Sequence, residues 1–226
     1  MNSKNDQANI LRVYRSKEQA KESYDKLSRF YDYFAGIFEK KYRNMAIDRL
    51  CIAEGETVLE MGFGTGHCLK QIAEMVGETG KAYGIDISSG MLEVTRKRLE
   101  KVALIDRVEL YCGDAMEMPF DDDKFNAVFS SFTLELFDTP EIPKVLNEIM
   151  RVSKPKGRLV IVSMSKEDGD SILIKLYEWS HNKFPKYADC RPIYVEQSLK
   201  DAGFEIKHKE KMRLFGLPGE IVVAEK

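Results

Sequence analysis

The spacing of hydrophobic positions changes several times along the chain, and each change marks an element. Residues 1–9 are mostly polar and carry no apolar period, so a disordered tail is expected there. From 10 to 51 apolar residues recur at three- and four-residue steps, with Tyr24, Leu27, Tyr31 and Phe34 sharing a face, which predicts N-terminal helices. Gly36 interrupts this run, and a second helix is expected over Glu39 to Cys51. The pattern then shortens. Thr57 to Met61, Lys81 to Ile87, Val108 to Cys112, Phe125 to Ser130 and Leu159 to Ser163 are brief apolar runs that read as strands. Between them lie helical stripes: Leu69, Ile72, Ala73 and Val76; then Met91, Leu92, Thr95 and Leu99; then Val145, Leu146, Ile149 and Met150. Pro143 is tolerated in the last of these helices because it falls in the first turn, where an N–H has no intrahelical partner.

Regular strand and helix alternation predicts parallel strands joined by right-handed crossovers, with helices on both faces of the sheet. The C-terminal part departs from that rule. Pro192 to Ala202 reads as a helix stopped by Gly203. Phe204 to Leu214 and Glu220 to Ala224 read as two strands, joined by a turn at Gly216-Leu217-Pro218-Gly219. The expectation is therefore an α/β chain: a doubly wound, seven-stranded sheet, mostly parallel with an antiparallel C-terminal hairpin strand, plus N-terminal helices. One domain is expected over 1–226, with a core at 52–165, an insertion at 166–190, and a C-terminal helix and hairpin at 191–226. The insertion holds Ile172, Leu173, Leu176, Tyr177, Trp179 and Tyr187, more apolar and aromatic surface than a connection requires. It reads either as a core-facing helix or as a lid over a hydrophobic ligand, with Lys175 and Lys183 at its rim.

Composition narrows the function. The 226 residues are 43% hydrophobic and carry a formal charge of -2, with none of the basic excess of a nucleic-acid binder. Cys51, Cys68, Cys112 and Cys190 form no C-x-x-C pair, so no metal site is expected, and reduced thiols in a cytoplasmic protein are the simpler reading. Met1 to Gln7 lacks an apolar signal core, and no run approaches 18 apolar residues.

Candidate chemistry gathers at strand ends. Gly62, Gly64 and Gly66 follow the first strand and open a helix, which lets a backbone approach a ligand closely. The alternatives are an unliganded tight turn and a dinucleotide site. A dinucleotide site wants G-x-G-x-x-G to seat a pyrophosphate. The spacing here is G-x-G-x-G, and Glu60 two residues before it suits a cationic ligand better. Asp86, at the end of the second strand, is placed to accept both hydroxyls of a ribose, or else to cap the next helix. Asp114, in Gly113-Asp114-Ala115, is placed to accept the amine of an adenine, or else belongs to an ordinary turn. All these loops fall at the carboxyl ends of parallel strands, where open α/β sheets bind ligands.

Taken as a set, Val58 to Gly66, Gly84-Ile85-Asp86-Ile87-Ser88, Gly113-Asp114-Ala115 with Met118-Pro119-Phe120, and Phe125 to Ser130 resemble the successive motifs of class I methyltransferases. The nearest likeness is to the ubiquinone/menaquinone C-methyltransferase-like group, the methyltransferase-11 type. It covers roughly residues 24–165, and the pairs Tyr24-Asp25 and Tyr31-Asp32 resemble that group's opening helix. Asp189 to Ile193 and Ala202-Gly203-Phe204 are similar to segments of lipid and quinone methyltransferases. The resemblance implies a Rossmann-like fold and S-adenosylmethionine as cofactor. It implies that Glu60 and Gly62 to Gly66 line the methionine portion and that Asp86 holds the ribose. Ile87 and Met91 would flank the adenine, Asp114 and Ala115 would grip its edge, Ser130 and Phe132 would face the sulfonium, and Tyr24 or Tyr31 would close over the cofactor.

Methyl transfer from a sulfonium is an in-line displacement whose leaving group departs neutral, so alignment and water exclusion carry much of the rate. A base is needed only where the acceptor must lose a proton. His181, Tyr187 and Glu135 are the candidates, while His67 reads as structural. The acceptor expected from the resemblance and the aromatic insertion is hydrophobic or lipid-like, an isoprenoid quinone or an aminolipid headgroup, with peripheral membrane contact. The alternatives are a small soluble metabolite, or a non-catalytic protein that keeps the fold.

Overall fold

The computed structural model describes residues 10–13, 16–27, 41–167, 191–214 and 216–226. Tyr31, the aromatic insertion from 168 to 190 with His181 and Tyr187, and the first nine residues lie outside that set.

Seven strands form one sheet in the order β3-β2-β1-β4-β5-β7-β6. They are β1 (Thr57–Met61), β2 (Lys81–Asp86), β3 (Val108–Cys112), β4 (Phe125–Ser131), β5 (Ser153–Met164), β6 (Glu205–Leu214) and β7 (Leu217–Glu225). β1 to β5 run parallel, and β7 is antiparallel to both β5 and β6. The expected fold, a mostly parallel sheet with an antiparallel C-terminal strand, is the one found. Among the described residues six α-helices accompany it: α1 (Lys17–Leu27), α2 (41–49), α3 (His67–Met75), α4 (Ser89–Lys101), α5 (Ile142–Val152) and α6 (Val195–Asp201).

Two apolar layers explain why the central strands read as continuous apolar runs rather than alternating ones. Leu59 and Met61 of β1 point into the layer beneath α5 and α6, with Val145, Ile149 and Leu199. Val58 points into the opposite layer with Ala46 and Ile47 of α2, Leu50 just after it, Leu69 and Ile72 of α3, and Leu99 of α4. Met91, Thr95 and Leu99 form the buried stripe of α4, whereas Leu92 is only partly covered. Helix ends follow local chemistry. Ser88 caps α4 by accepting the Met91 N–H at 3.0 Å, an arrangement worth about 1 kcal/mol. Gly203, at φ 92, closes α6 as expected: its N–H reaches the Lys200 carbonyl, and the Phe204 N–H reaches that of Leu199.

Several boundaries differ from expectation; α6, for one, begins at Val195 rather than Pro192. β5 begins at Ser153 rather than Leu159, because Ser153 already pairs with Phe125 before the register shifts and Arg158 meets Ala127. The C-terminal turn is tighter than the Gly216 to Gly219 reading. Leu217 pairs with Leu214, so Leu217, Pro218 and Gly219 belong to β7 and only Phe215 and Gly216 lie between the strands. Pro218 is tolerated because pairing between β5 and β7 ends at Met164 and Gly219, just short of it.

The chain leaves β1 toward β2 and β3 on one side, then returns to lay β4 and β5 on the other. The switch falls between β1 and β4. The loops after β1, β2, β3 and β4 all open at that carboxyl edge.

Candidate functional site

A cavity of about 1290 Å³, including its open mouth, lies at this edge, lined by residues from all four loops and from α1 and α2. Its floor is the glycine loop. Gly62, Gly64 and Gly66 sit at φ 74, 51 and 77, the left-handed region that side chains resist. They differ in what surrounds them. A Cβ on Gly62 would strike the Thr133 side chain, and one on Gly66 would come within 2.5 Å of Thr95 Cγ2. A Cβ on Gly64 would meet nothing within 4 Å. Two glycines therefore let the loop pack on the protein, and the third leaves room on the cavity side.

Asp86 fastens that loop. Its Oδ2 accepts the Gly64 N–H at 2.9 Å, its Oδ1 accepts the Ser88 N–H at 2.9 Å, and Thr95 Oγ1 donates to the Gly64 carbonyl at 2.8 Å. Burial pushes the Asp86 carboxyl up to about 6 despite these donors, and the nearby Asp25 carboxylate adds to the rise. Glu60, in the middle of β1, is fully buried with its Oε2 lacking any hydrogen-bond partner. Burial holds its carboxyl well above the usual range, against the pull of the Arg43 guanidinium. An orphaned buried acid and an open Gly64 are what a ligand with a cationic amino-acid end would complete.

The remaining walls follow from α1 and the later loops. Val13, Lys17, Ala20 and Tyr24 fall at three- and four-residue steps and together line one side. Asp25 anchors α1 to the start of α4, accepting Ser88 Oγ at 2.6 Å and the Gly90 N–H at 2.8 Å. Lys17 pairs with Asp114, whose other oxygen accepts the Met116 N–H at 2.9 Å. Ahead of α1, Arg12 grips Asp138 through Nε at 2.8 Å and Nη2 at 2.6 Å. Those hydrogen bonds draw the Asp138 carboxyl down to about 2. Ile87 and Met91 line the wall between Asp86 and α4, and Ala115 follows Asp114. Ser131 at the end of β4, then Phe132, Thr133, Leu136 and Phe137 form an apolar-leaning flank. Phe132 holds φ 52 there, a costly conformation for an aromatic residue.

Most sequence-derived site residues meet in this cavity: Tyr24, Glu60, Gly62, Gly64, Asp86, Ile87, Met91, Phe132, Asp114 and Ala115 line it, and so does His67. Gly66 sits just behind, at the N-terminus of α3. Ser130 is fully buried within β4, and its neighbour Ser131 faces the cavity instead. Glu135 is also fully buried and is not among the lining residues. Its Oε1 accepts the Met164 N–H at 3.3 Å, and burial pushes its carboxyl up to about 7. Val13, Lys17, Ala20 and Arg43 were not anticipated. A signal for Arg43 exists: it continues the stripe of Ala46, Ile47 and Leu50 by one turn, where an apolar residue would be expected. Among the described residues no group of His, Cys, Asp and Glu could hold a metal, and no helix is long and apolar enough to cross a membrane.

Similarity to known proteins agrees with this site. The model of the ubiE/COQ5 methyltransferase family matches residues 5–191. A demethylmenaquinone methyltransferase from Symbiobacterium thermophilum is 32% identical over 217 residues, covering 88% of this chain and 85% of the relative. A ubiquinone/menaquinone biosynthesis C-methyltransferase from Salmonella arizonae is 36% identical over 125 residues, covering 55% of this chain and about half, 49%, of its own length. Among solved structures, the [4+2]-cyclase SpnF superposes with a TM-score of 0.76 at 19% identity, covering 94% of this chain and 97% of its own. A SAM dependent methyltransferase from Aquifex aeolicus superposes at 0.62 and 24%, covering 93% and 98%. The cyclase is a reminder that a shared fold does not fix the reaction; the family match carries that step. The chain belongs to the ubiE/COQ5 methyltransferase family, and it is an enzyme that draws its methyl group from S-adenosylmethionine.

Proposed function

We propose that this methyltransferase delivers the methyl group to a hydrophobic, lipid-like acceptor of the isoprenoid quinone class. The observation that carries the reading is the apolar flank of Phe132, Leu136 and Phe137 beside the glycine loop, in a chain whose long-range relative is a demethylmenaquinone methyltransferase. Glu60 and the Gly62 to Gly66 loop would hold the methionine portion, Asp86 the ribose, Ile87 and Met91 the adenine faces, and Asp114 with Ala115 its edge. When bound, the cofactor supplies an electrophilic methyl on a sulfonium that leaves neutral. The protein's part is then alignment and dryness: oriented reactants can gain about 7–11 kcal/mol. α1, tied down by Asp25 and, through the preceding segment, by Arg12, lines the cavity and would shield a bound donor from water. Phe132 presents an aromatic ring toward the cavity, where it would favour a cation.

A carbon acceptor must also lose a proton. Of the three candidate bases, Glu135 is the one among the described residues. Its burial outside the cavity lining suits it to holding the turn that carries Leu136 and Phe137 rather than to touching the acceptor. The test is transfer from labelled S-adenosylmethionine into lipid and aqueous extracts side by side. Label is expected in the lipid fraction, in a product that migrates as a quinone. Label confined to the aqueous fraction would replace this reading with a soluble acceptor.

A further inference from the structure

Arginines are almost never fully buried, because their charge must be compensated once water is removed. Arg191 is fully buried. The chain that follows it is fixed beside the end of β5: the Ile193 N–H donates to the Met164 carbonyl at 3.2 Å, and the Lys166 N–H donates to the Ile193 carbonyl at 3.1 Å. From there the guanidinium reaches the connection between β4 and α5. Nη2 donates to the Phe137 carbonyl, and Nη1 donates to Thr139 Oγ1 at 3.3 Å. Burial draws the guanidinium down to about 10, while the carboxylates of Asp138 and Glu135 favour its charge. An arginine kept only to neutralise a buried acid would pair with that acid. Asp138 is instead gripped by Arg12, and Glu135 Oε1 accepts the Met164 N–H. Among the described residues the hydrogen bonds of Arg191 go to a main-chain carbonyl and a hydroxyl.

Those two acceptors bracket Asp138, just past the point where Leu136 and Phe137 face the cavity. The connection holds Phe137 weakly by itself. Leu134–Leu136 is one 3-10 turn, Phe137 is extended, and its N–H reaches the Leu134 carbonyl only at 3.4 Å. Arg191 does not line the cavity. We propose that Arg191 is a positioning residue for methyl transfer: by holding the Phe137 carbonyl and the Thr139 hydroxyl from inside the protein, it fixes how the Phe137 ring faces the acceptor. A guanidinium suits this task, since its rigid fork serves two acceptors at once, whereas an ammonium on a flexible stem does not. The inference rests on Phe132, Leu136 and Phe137 being the acceptor side, and not on which acceptor is used.

Three measurements on the full chain test it. Transfer of label is followed against dilutions of whichever extract, lipid or aqueous, takes up the methyl group, which gives kcat and a relative KM. S-adenosylmethionine is titrated by calorimetry, and amide hydrogen exchange is read by mass spectrometry. Arg191→Met should lower kcat/KM for the acceptor by about 10- to 100-fold, the scale of a small misplacement at a reacting centre. Its cofactor affinity should stay within about twofold of wild type, and exchange should quicken at residues 134–139 but not at 62–66. Arg191→Lys should retain part of the activity. Phe137→Ala should lose a similar amount, and Phe137→Ala with Arg191→Met no more than the worse single variant, because the arginine acts through that ring. Additive losses overturn the proposal, as does unchanged exchange at 134–139, or cofactor affinity that falls as far as kcat/KM. If Arg191→Met does not fold, Arg191→Lys and Thr139→Val, which removes one of the two acceptors, carry the same comparison. Label in the aqueous extract alone ends the quinone reading, and the variants are then compared on that extract. If neither extract is labelled, faster exchange at 134–139 with intact cofactor binding still supports the role of Arg191, and unchanged exchange still overturns it.

Discussion

Alanine at Gly64 and at Gly66 should damage the protein in different ways, although the residues are two positions apart in one loop. Both hold left-handed φ values, 51 and 77, so an L side chain costs each about 1–2 kcal/mol. At Gly64 that is the whole structural cost, since the new methyl meets nothing within 4 Å. For a chain of this length the loss corresponds to about 2–8 °C in Tm. At Gly66 the methyl would sit 2.5 Å from Thr95 Cγ2 and 2.7 Å from its Oγ1, and Thr95 is pinned by its bond to the Gly64 carbonyl. Overpacking of that kind adds about 1–3 kcal/mol, so Gly66→Ala should lose about twice as much stability. Ligand binding should order them the other way. The room left at Gly64 is cavity space, and filling it should weaken S-adenosylmethionine by about tenfold or more, since a steric penalty of 1.4 kcal/mol already gives that factor. Differential scanning calorimetry without ligand, followed by titration with the cofactor, separates the two effects. A Gly64→Ala protein that binds the cofactor with wild-type affinity would show that nothing approaches this glycine, and the assignment of the loop would fail.

Other consequences follow from the buried acids and the N-terminal clamp. Asp86 and Glu135 have carboxyls raised to about 6 and about 7 from ordinary values of 3.8 and 4.5, so the folded chain holds their protons more tightly than the unfolded chain does. Their burial therefore costs stability above pH 7, and the cost disappears as the pH falls from about 7 toward 4. Glu135→Gln should raise Tm at pH 8, leave it little changed near pH 4.5 and flatten the slope between; an unchanged slope would remove Glu135 from this role. Cofactor affinity should move oppositely and weaken below about pH 6, because a protonated Asp86 accepts one ribose hydroxyl less well; Asp86→Asn should bind weakly and with little pH dependence in titrations from pH 5 to 8. Asp138→Asn removes the acceptor for Arg12 and for the Val13 N–H, so it should cost about 1–2 kcal/mol and speed proteolysis near residue 12 without changing the far-UV spectrum.

The sheet could be read from the chain because its central strands are buried on both sides. β1 and β3 have the expected bounds, and β2 ends one residue early at Asp86, since a run such as Thr57–Met61 has no competing pattern. Misreadings came where backbone geometry overrode residue type. Lys154 to Gly157, with Pro155 and a left-handed Lys156, look like a loop, yet they form an irregular start to β5 because Ser153 is already paired. Leu217-Pro218-Gly219 look like a turn, but they pair with Leu214, Arg213 and Met212 as the start of β7, and the left-handed Gly216 at φ 84 precedes them. At the site, residues in the strand-end loops were legible because glycine and acid spacing encodes them locally. Arg43 and Lys17 were not, because they reach the cavity from helices whose packing against the strand edge is a tertiary fact. Ser130 and Ser131 show the limit of resolution: a strand alternates faces, so a one-residue error exchanges a residue enclosed in the sheet for one that lines the cavity.

Several departures from ordinary folding rules gather around the glycine loop, although Glu135, Arg191 and Glu220 also keep unpaired buried atoms outside the cavity lining. Glu60 is buried with an orphaned oxygen, Asp86 is ionised against its burial, Phe132 holds a left-handed backbone, and three glycines in five residues give up side-chain packing. Each feature costs the ligand-free chain about 1–3 kcal/mol by its own mechanism. A protein selected for stability alone would replace Glu60 with an apolar residue of similar size, as buried charges can often be replaced without loss. At Glu60, which lines the cavity, a bound cofactor would supply the missing donor. Cofactor binding should then appear as ligand-dependent stabilisation. Saturating S-adenosylmethionine at 100 times its Kd should raise the unfolding free energy by about 2.7 kcal/mol in the wild type. The tighter the cofactor is held through Glu60 and Asp86, the lower the concentration at which that gain is reached.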